Sequence, residues 1–382
     1  MPPRGSCRGA PGGRGCARTT DAEGAHDAHR GRRGGSVTVA FSTDQIYFAH
    51  QPPGGVQHPE RSDRLASILQ QLDTTGLLDR MDHLPERDAT DEELLAVHTR
   101  DLLVTVDAHA AAGGGWADPD TFIGPSSPAA SRRVAGATLA ATEAVLDGSA
   151  TSAFVAARPP GHHATRERAM GFCLYNQVAV AVQAALDRGV ERVAVVDWDL
   201  HHGNGTQAIF DDEPRVLYLS THAYPFYPGT GAVEERGVGE AVGTKVNIPL
   251  PGGAGDAAFQ AAYGHVAVPA LEAFGPELVF VSCGWDSHAR DQLGPLAVST
   301  GGYAAVARMI VDAANRLCDG RLVAVLEGGY DEHALAHCSQ ALCELLLGDE
   351  PSPDPQQGTG KPELVTNIDT VIAAARTVAG LD

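Results

Sequence analysis

Residues 193–206 read VAVVDWDLHHGNGT, a β-branched apolar run that stops at two carboxylates and two imidazoles, Asp197, Asp199, His201 and His202. An ionised carboxylate is costly to bury unless it is paired or binds a cation. Asp199 and His201 are two apart, so an extended chain points both side chains the same way and both can reach one ion. A site of that kind with an open coordination position suits hydrolytic, Lewis-acid chemistry.

Four apolar segments of this type end in polar runs. Residues 153–157 lead to Arg158-Pro-Pro-Gly-His162-His163, residues 193–196 to the run above, residues 278–282 to Cys283-Gly-Trp-Asp286-Ser-His288, and residues 322–326 to Glu327-Gly-Gly-Tyr330-Asp331. These segments read as strands, as do 37–41 and 216–220. Helices are expected over 58–78, 90–99, 132–146, 177–187, 257–274, 303–317, 332–347 and 368–378, with 348–361 a polar loop. Short strands alternating with helices predict an α/β fold with a mostly parallel sheet covered on both faces. Such sheets bind ligands at the carboxyl ends of their strands, so the four runs can share one site.

The chain has 382 residues, 43% of them hydrophobic, which suits one sizeable core. No apolar run is long enough for a membrane span. The formal net charge is −20, and Lys245 and Lys361 are the only lysines among 28 basic residues. That balance argues against direct nucleic-acid binding, which needs a basic surface. The seven cysteines form no CxxC pair, which suggests free thiols in a reducing, cytoplasmic setting. Residues 1–36 carry seven arginines against three acids and almost no large apolar side chains. They are expected to be a disordered tail or to precede the true start, and they lack the apolar stretch of a secretory signal. Residues 37–382 are expected to form a single domain.

The runs RPPGHHA, GFCLYN, DWDLHHGNGTQ, YPGTG, GWDSHARDQLG and LEGGYD, in that order, resemble the zinc-dependent deacetylase family, which includes histone deacetylases and acetylpolyamine amidohydrolases. HPERSDRL at 58–65 resembles the opening of class II members, and the similarity spans about 37–347. The resemblance implies the arginase–deacetylase fold, a central sheet of about eight strands.

It also implies roles. Asp199, His201 and Asp286 match the metal positions, an O, N, O set that suits zinc and leaves iron(II) open. His162 and His163 match the acid–base pair, oriented by Asp197 and Asn204 respectively. A carboxylate stabilises an imidazolium more than an amide does, so the two should titrate differently. Tyr330 matches the hydrogen-bond donor to the developing oxyanion. Gly171, Phe172 and Tyr227 match the acyl-lysine tunnel, and Asp118 or Asp120 the substrate-gripping rim. A structural potassium ion is implied at Asp197, Asp199, His201, Ser220 and Thr221, and a second near Phe210 and Val216. His202 is left to a structural role. Cys283 and Trp285 differ from the commoner Ala and Phe and read as packing changes.

The function implied is hydrolysis of the acetyl amide of acetyl-lysine. Polyamine-preferring class II members carry a glutamate where this chain has Leu293, which leans toward peptide or protein substrates. Acetylpolyamines or other small acetylated amines stay open, as does the oligomeric state. A same-fold ureohydrolase would need a further carboxylate where Asp286-Ser-His288 stands. A non-catalytic acyl-lysine-binding scaffold would be expected to lack Tyr330 or a histidine of the pair.

Overall fold

The computed structural model describes residues 37–382. The tail expected at 1–36 lies outside the described residues. Strands in chain order are β1 (Val39–Ser42), β2 (Asp82–His83), β3 (Gly115–Trp116), β4 (Phe122–Ile123), β5 (Ser152–Val155), β6 (Val193–Asp197), β7 (Val216–Ala223), β8 (Lys245–Leu250), β9 (Leu278–Cys283) and β10 (Leu322–Leu326). The α-helices are α1 (Ser62–Thr74), α2 (Asp91–Leu95), α3 (Arg100–Ala111), α4 (Ser127–Asp147), α5 (Gln177–Asp187), α6 (Asn204–Ile209), α7 (Asp256–Ala262), α8 (Val268–Phe274), α9 (Thr300–Cys318), α10 (Glu332–Leu346) and α11 (Asp369–Val378).

Eight strands form one sheet in the order β2-β1-β5-β10-β9-β6-β7-β8, and every pairing in it is parallel. Every residue of β5, β6, β9 and β10 is buried. Their sequences lack an alternating polar position because helices cover both faces, the usual condition of parallel sheets. Helix α1 packs on α10, α10 on α9, and α4 on α5. β3 and β4 form a separate antiparallel pair.

The expected elements recur with their ends moved by a few residues. One departs more: 257–274 is not a single helix but α7 and α8 joined by a π-turn at Tyr263–Ala267. Pro269 lies in the first turn of α8, where a missing N–H is tolerated, and cannot supply the bond that would continue α7. Strand β8 was not anticipated, because Lys245, Asn247 and Pro249 interrupt its apolar pattern. It is an edge strand, where proline is admitted. Helix α3 was also missed, since Val104, Thr105 and Val106 lower helix propensity. The five cysteines among the described residues are free and buried. No helix among the described residues is long and apolar enough to cross a membrane.

Candidate active site

β5, β10, β9 and β6 are consecutive in the sheet, and they are the four strands that end in polar runs. Asp197 pairs with Ser282 and Leu326 with Cys283, so neighbouring runs leave the sheet at nearly the same level. The sheet therefore delivers all four to one edge.

Past the end of β6, His201 Nδ1 lies 3.1 Å from Asp199 Oδ1 and 3.1 Å from Asp286 Oδ2. Both carboxylates are fully buried. Burial and the neighbouring Asp199 charge raise the Asp286 carboxyl to about 7. Burial opposes charge on Asp199 as well, yet the imidazoles of His162 and His201 hold it below the usual carboxylate range. Burial works against a charged His201, but hydrogen bonds to Asp199 and Asp286 lift it to about 10. Three donor atoms of the O, N, O set thus converge on a point where positive charge is favoured. A Cβ at Gly284 would come within 2.1 Å of Asp199 Oδ2, and one at Gly328 within 2.5 Å of Asp199 Oδ2 and of Asp286 Oδ2. The two glycines let main chain approach the carboxylates without filling the space between them. This donor set fits a divalent cation, which would compete with the proton on His201.

His162 and His163 sit with ring centroids 4.1 Å apart on the turn after β5. His162 Nδ1 is 3.0 Å from Asp197 Oδ2, and His163 Nδ1 is 2.8 Å from Asn204 Oδ1. His162 Nε2 faces Asp199 Oδ1 at 3.7 Å. Burial disfavours charge on both rings. For His162 the Asp199 and Asp197 charges outweigh it and raise the ring to about 10. For His163 nothing outweighs it, and burial together with His162 and His201 keeps the ring well below its ordinary range. The two surroundings thus push the proton affinities of the pair in opposite directions. Gly171 has φ +57°, and a Cβ there would meet His163 Cδ2 at 2.3 Å, so only glycine can cover that ring.

Tyr330 lies in the turn after β10, and its main-chain N–H donates to Asp291 Oδ2 at 2.6 Å. Burial pushes its phenol well above the usual range, so it remains a donor. Arg64, from α1, donates to the carbonyls of Glu327 and Gly329, both at 2.5 Å, and its guanidinium lies 4.9 Å from the Tyr330 ring centroid. Arg64 and Arg158 converge on the buried Glu60 carboxylate, at 3.0 and 2.6 Å. Glu327 accepts from the main-chain N–H of Gly161 at 2.6 Å and of His162 at 3.1 Å, which ties the β10 turn to the histidine turn.

Phe172 is one of two non-glycine residues among those described with positive φ, at 68°. For an aromatic residue that is strained backbone, and strain of this kind clusters at functional sites. Its N–H donates to Thr121 Oγ1 at 3.0 Å, and its ring stands edge-on to His58 at 4.6 Å and to Tyr330 at 5.8 Å. Tyr227 stands edge-on to His163 at 5.2 Å and lies 5.9 Å from His201, while Phe226 stacks on His201 at 5.7 Å. Asp118 Oδ1 accepts from the N–H groups of Asp120 and Thr121, at 3.1 and 2.6 Å.

Residues 58–346 match the family model described as "Histone deacetylase domain". The chain belongs to the histone deacetylase family. It is 42% identical over 300 residues to the histone deacetylase-like amidohydrolase of Pseudomonas aeruginosa, covering 78% of this chain and 79% of that protein. It is 40% identical over 313 residues to a probable deacetylase of Archaeoglobus fulgidus, covering 81% of this chain and 86% of that one. The crystal structure of the HDA15 HD domain superposes with a TM-score of 0.81 at 34% identity, covering 90% of this chain and 94% of that one. The fold is accordingly the arginase–deacetylase fold, and the family makes this chain a hydrolase of the deacetylase type.

In this deacetylase the buried cluster Glu60–Arg64–Arg158 was not anticipated as part of the site. Its signal was present: Glu60 and Arg64 are opposite charges four apart, Glu60 just before α1 and Arg64 in its first turn. His202 turns away from the site, to Thr230 Oγ1 at 2.8 Å and Gln207 Oε1 at 3.0 Å. Of the residues expected around potassium, Asp197 pairs with Ser220 across β6 and β7, and Asp197 Oδ1 accepts from Asp199 N at 3.2 Å. The Ser220 and Thr221 hydroxyls are engaged by His222 and Tyr263, at 2.9 and 3.2 Å. Near Phe210 and Val216, where a second potassium was expected, the Lys245 ammonium lies 2.9 Å from the Val216 carbonyl oxygen.

Removing one of the three converging donors should empty the metal position without unfolding the chain. Asp286→Ala is expected to lose stoichiometric divalent metal by elemental analysis while keeping its circular dichroism spectrum. Full metal occupancy in that variant would show that Asp286 is not a ligand.

Proposed function

We propose that this protein is a metal-dependent deacetylase that hydrolyses the acetyl amide of acetyl-lysine in peptides or proteins. The observation that carries the reading is the convergence of Asp199, His201 and Asp286 beside two histidines, one held by a carboxylate and the other by an amide. Zinc is the expected ion, and the donor set also admits iron(II). Held by Asp199, His201 and Asp286, such an ion would supply Lewis-acid activation of water and of the acyl carbonyl.

The remaining steps belong to the chain. His163, neutral and with Nδ1 engaged by Asn204, presents Nε2 as the base that takes a proton from the attacking water. His162, charged and held by Asp197, stabilises the negative charge that grows on attack. The Tyr330 hydroxyl donates to the tetrahedral oxyanion. The proton held on His163 Nε2 then passes to the leaving amine, and acetate remains. Phe172 and Tyr227, with Gly171 between Phe172 and His163, form the walls along which an aliphatic lysine stem would lie. Potassium at the Asp197–Ser220 level would offset the buried charge of Asp197, Asp199, Asp286 and Glu327, more carboxylates than the two imidazoles can balance.

The mouth favours a peptide over a polyamine. Tyr330 lines a cavity of about 730 Å³ together with His58, Arg61, Arg290, Leu293 and Glu332. Its acids are already paired, Glu332 with Arg61 and Asp331 with Arg290. A polycation would need free carboxylates there. Asp118 is committed to its own turn, so Asp120 is the rim residue available to a substrate backbone.

Side-by-side assay of an acetyl-lysine peptide, acetylpolyamines and small acetylated amines should give the highest kcat/KM on the peptide. A preference for acetylpolyamine would overturn the substrate, and urea release from a guanidino compound would overturn the reaction. Tyr330→Phe should lower kcat by roughly 10²–10³-fold, the usual cost of losing one oxyanion donor, with metal content unchanged. Asn204→Asp places a carboxylate on His163 Nδ1 and raises its proton affinity. Since His163 must be neutral to accept a proton, the acidic limb of kcat/KM should move up by about one pH unit. An unmoved limb would remove His163 as the base.

A further inference from the structure

Lys245 opens the edge strand β8 and is fully buried. Its ammonium donates to Thr244 Oγ1 at 2.7 Å, to the Val216 carbonyl at 2.9 Å and to the Glu213 carbonyl at 3.3 Å. Among the described residues no carboxylate oxygen is paired with it. The Glu213 carboxylate is engaged by Arg215 at 2.6 Å, and Asp211 is half-buried nearby. A cation satisfied by neutral main-chain and hydroxyl oxygens is the environment that suits a dehydrated potassium ion. An ammonium is close to potassium in size and carries three donors, so it can meet the same oxygens.

The choice of side chain is informative. Of 28 basic residues only Lys245 and Lys361 are lysine. Lys361 also donates to main-chain carbonyls, those of Asp291 and Gly294. The ammonium is compact and its three donors diverge from one nitrogen, so a single atom reaches all three oxygens, which the planar fork of a guanidinium does not do. Burial lowers the Lys245 amine to about 8, which still leaves most of it charged at neutral pH.

We propose that Lys245 is a built-in replacement for the second monovalent cation, its ammonium taking the oxygens of Glu213 and Val216 that potassium would otherwise bridge. Potassium therefore does not fit at that position in this chain. The ammonium pins the turn between α6 and β7 to β8. That turn follows α6, whose first residue is Asn204, and precedes Tyr218, whose hydroxyl donates to Asp197 Oδ2 at 3.0 Å. The tether thus supports both histidine partners without touching either histidine.

Two measurements test this, neither depending on deacetylase activity. In crystals of the wild-type protein soaked in rubidium chloride, no anomalous peak is expected within bonding distance of the Val216 oxygen. A peak there overturns the proposal. Lys245→Ala frees the oxygens, so its melting temperature should rise more on exchange of choline chloride for potassium chloride than that of wild type does. The excess should be at least about 2 °C, and rubidium should appear between Glu213 and Val216. Equal salt responses in the two proteins overturn it. If the variant folds in neither salt, the wild-type rubidium map decides alone.

Discussion

The site is organised by buried negative charge. Asp197, Asp199, Asp286 and Glu327 are all fully buried at the carboxyl ends of adjacent strands. Carboxylates so placed need donors and cations at once. Main-chain N–H groups of Leu200, Gly328, Gly161 and His162 supply donors, each within 3.1 Å of an acid. His162 and His201 supply charge. A parallel sheet can bring so many acids together because neighbouring strands all end at the same edge, and because glycines at 284 and 328 let the loops close over them.

The two halves of the site answer to different constraints. The metal-donor half is held directly by β6 and β9. The Tyr330 half hangs on a glycine turn and is fixed from outside, by Arg64 beneath the ring and on two carbonyls, and by Asp291 on the main-chain nitrogen. Arg64 is itself held by Glu60, which also binds Arg158 at the end of β5. The ring that would touch substrate and the turn that carries the histidine pair thus share one buried carboxylate. Removing one partner of such a cluster would leave charge uncompensated in the interior, which costs far more than losing a surface pair.

Much of this was legible in the sequence where local pattern and chemistry coincide. Four short apolar runs ending in polar clusters predicted both the strands and their convergence, because strands with no polar position must lie in a doubly covered sheet. Helices with clear apolar spacing, such as α5 and α10, were legible for the same reason. Strand β8 was not, because an edge position tolerates the lysine, asparagine and proline that a central strand would reject. The spacing of Glu60 and Arg64 hints at their ion pair, but the link from Arg64 to the Tyr330 turn runs through main-chain carbonyls more than 260 residues away, and carbonyls carry no sequence signal. The positive φ of Phe172 has no signal in the residue type, because an aromatic residue does not favour it.

Lys245 belongs to the same pattern as Arg64, and the pattern bears on why the metal position stands apart. Arg64 donates to Glu327 and Gly329, Arg158 to Tyr47, Lys245 to Glu213 and Val216, and Lys361 to Asp291 and Gly294. In each case a basic side chain of the protein meets main-chain oxygens that would otherwise be poorly satisfied. Asp199 and Asp286 are treated differently. They meet main-chain N–H groups and imidazoles, and no lysine or arginine reaches them among the described residues. An imidazole can exchange its proton for a metal ion, whereas a guanidinium keeps its protons and offers no lone pair. A position meant to exchange a proton for a metal ion must be lined by groups of the first kind. The chain places lysine and arginine where oxygens need only be held, and histidine where a metal ion can take the proton's place.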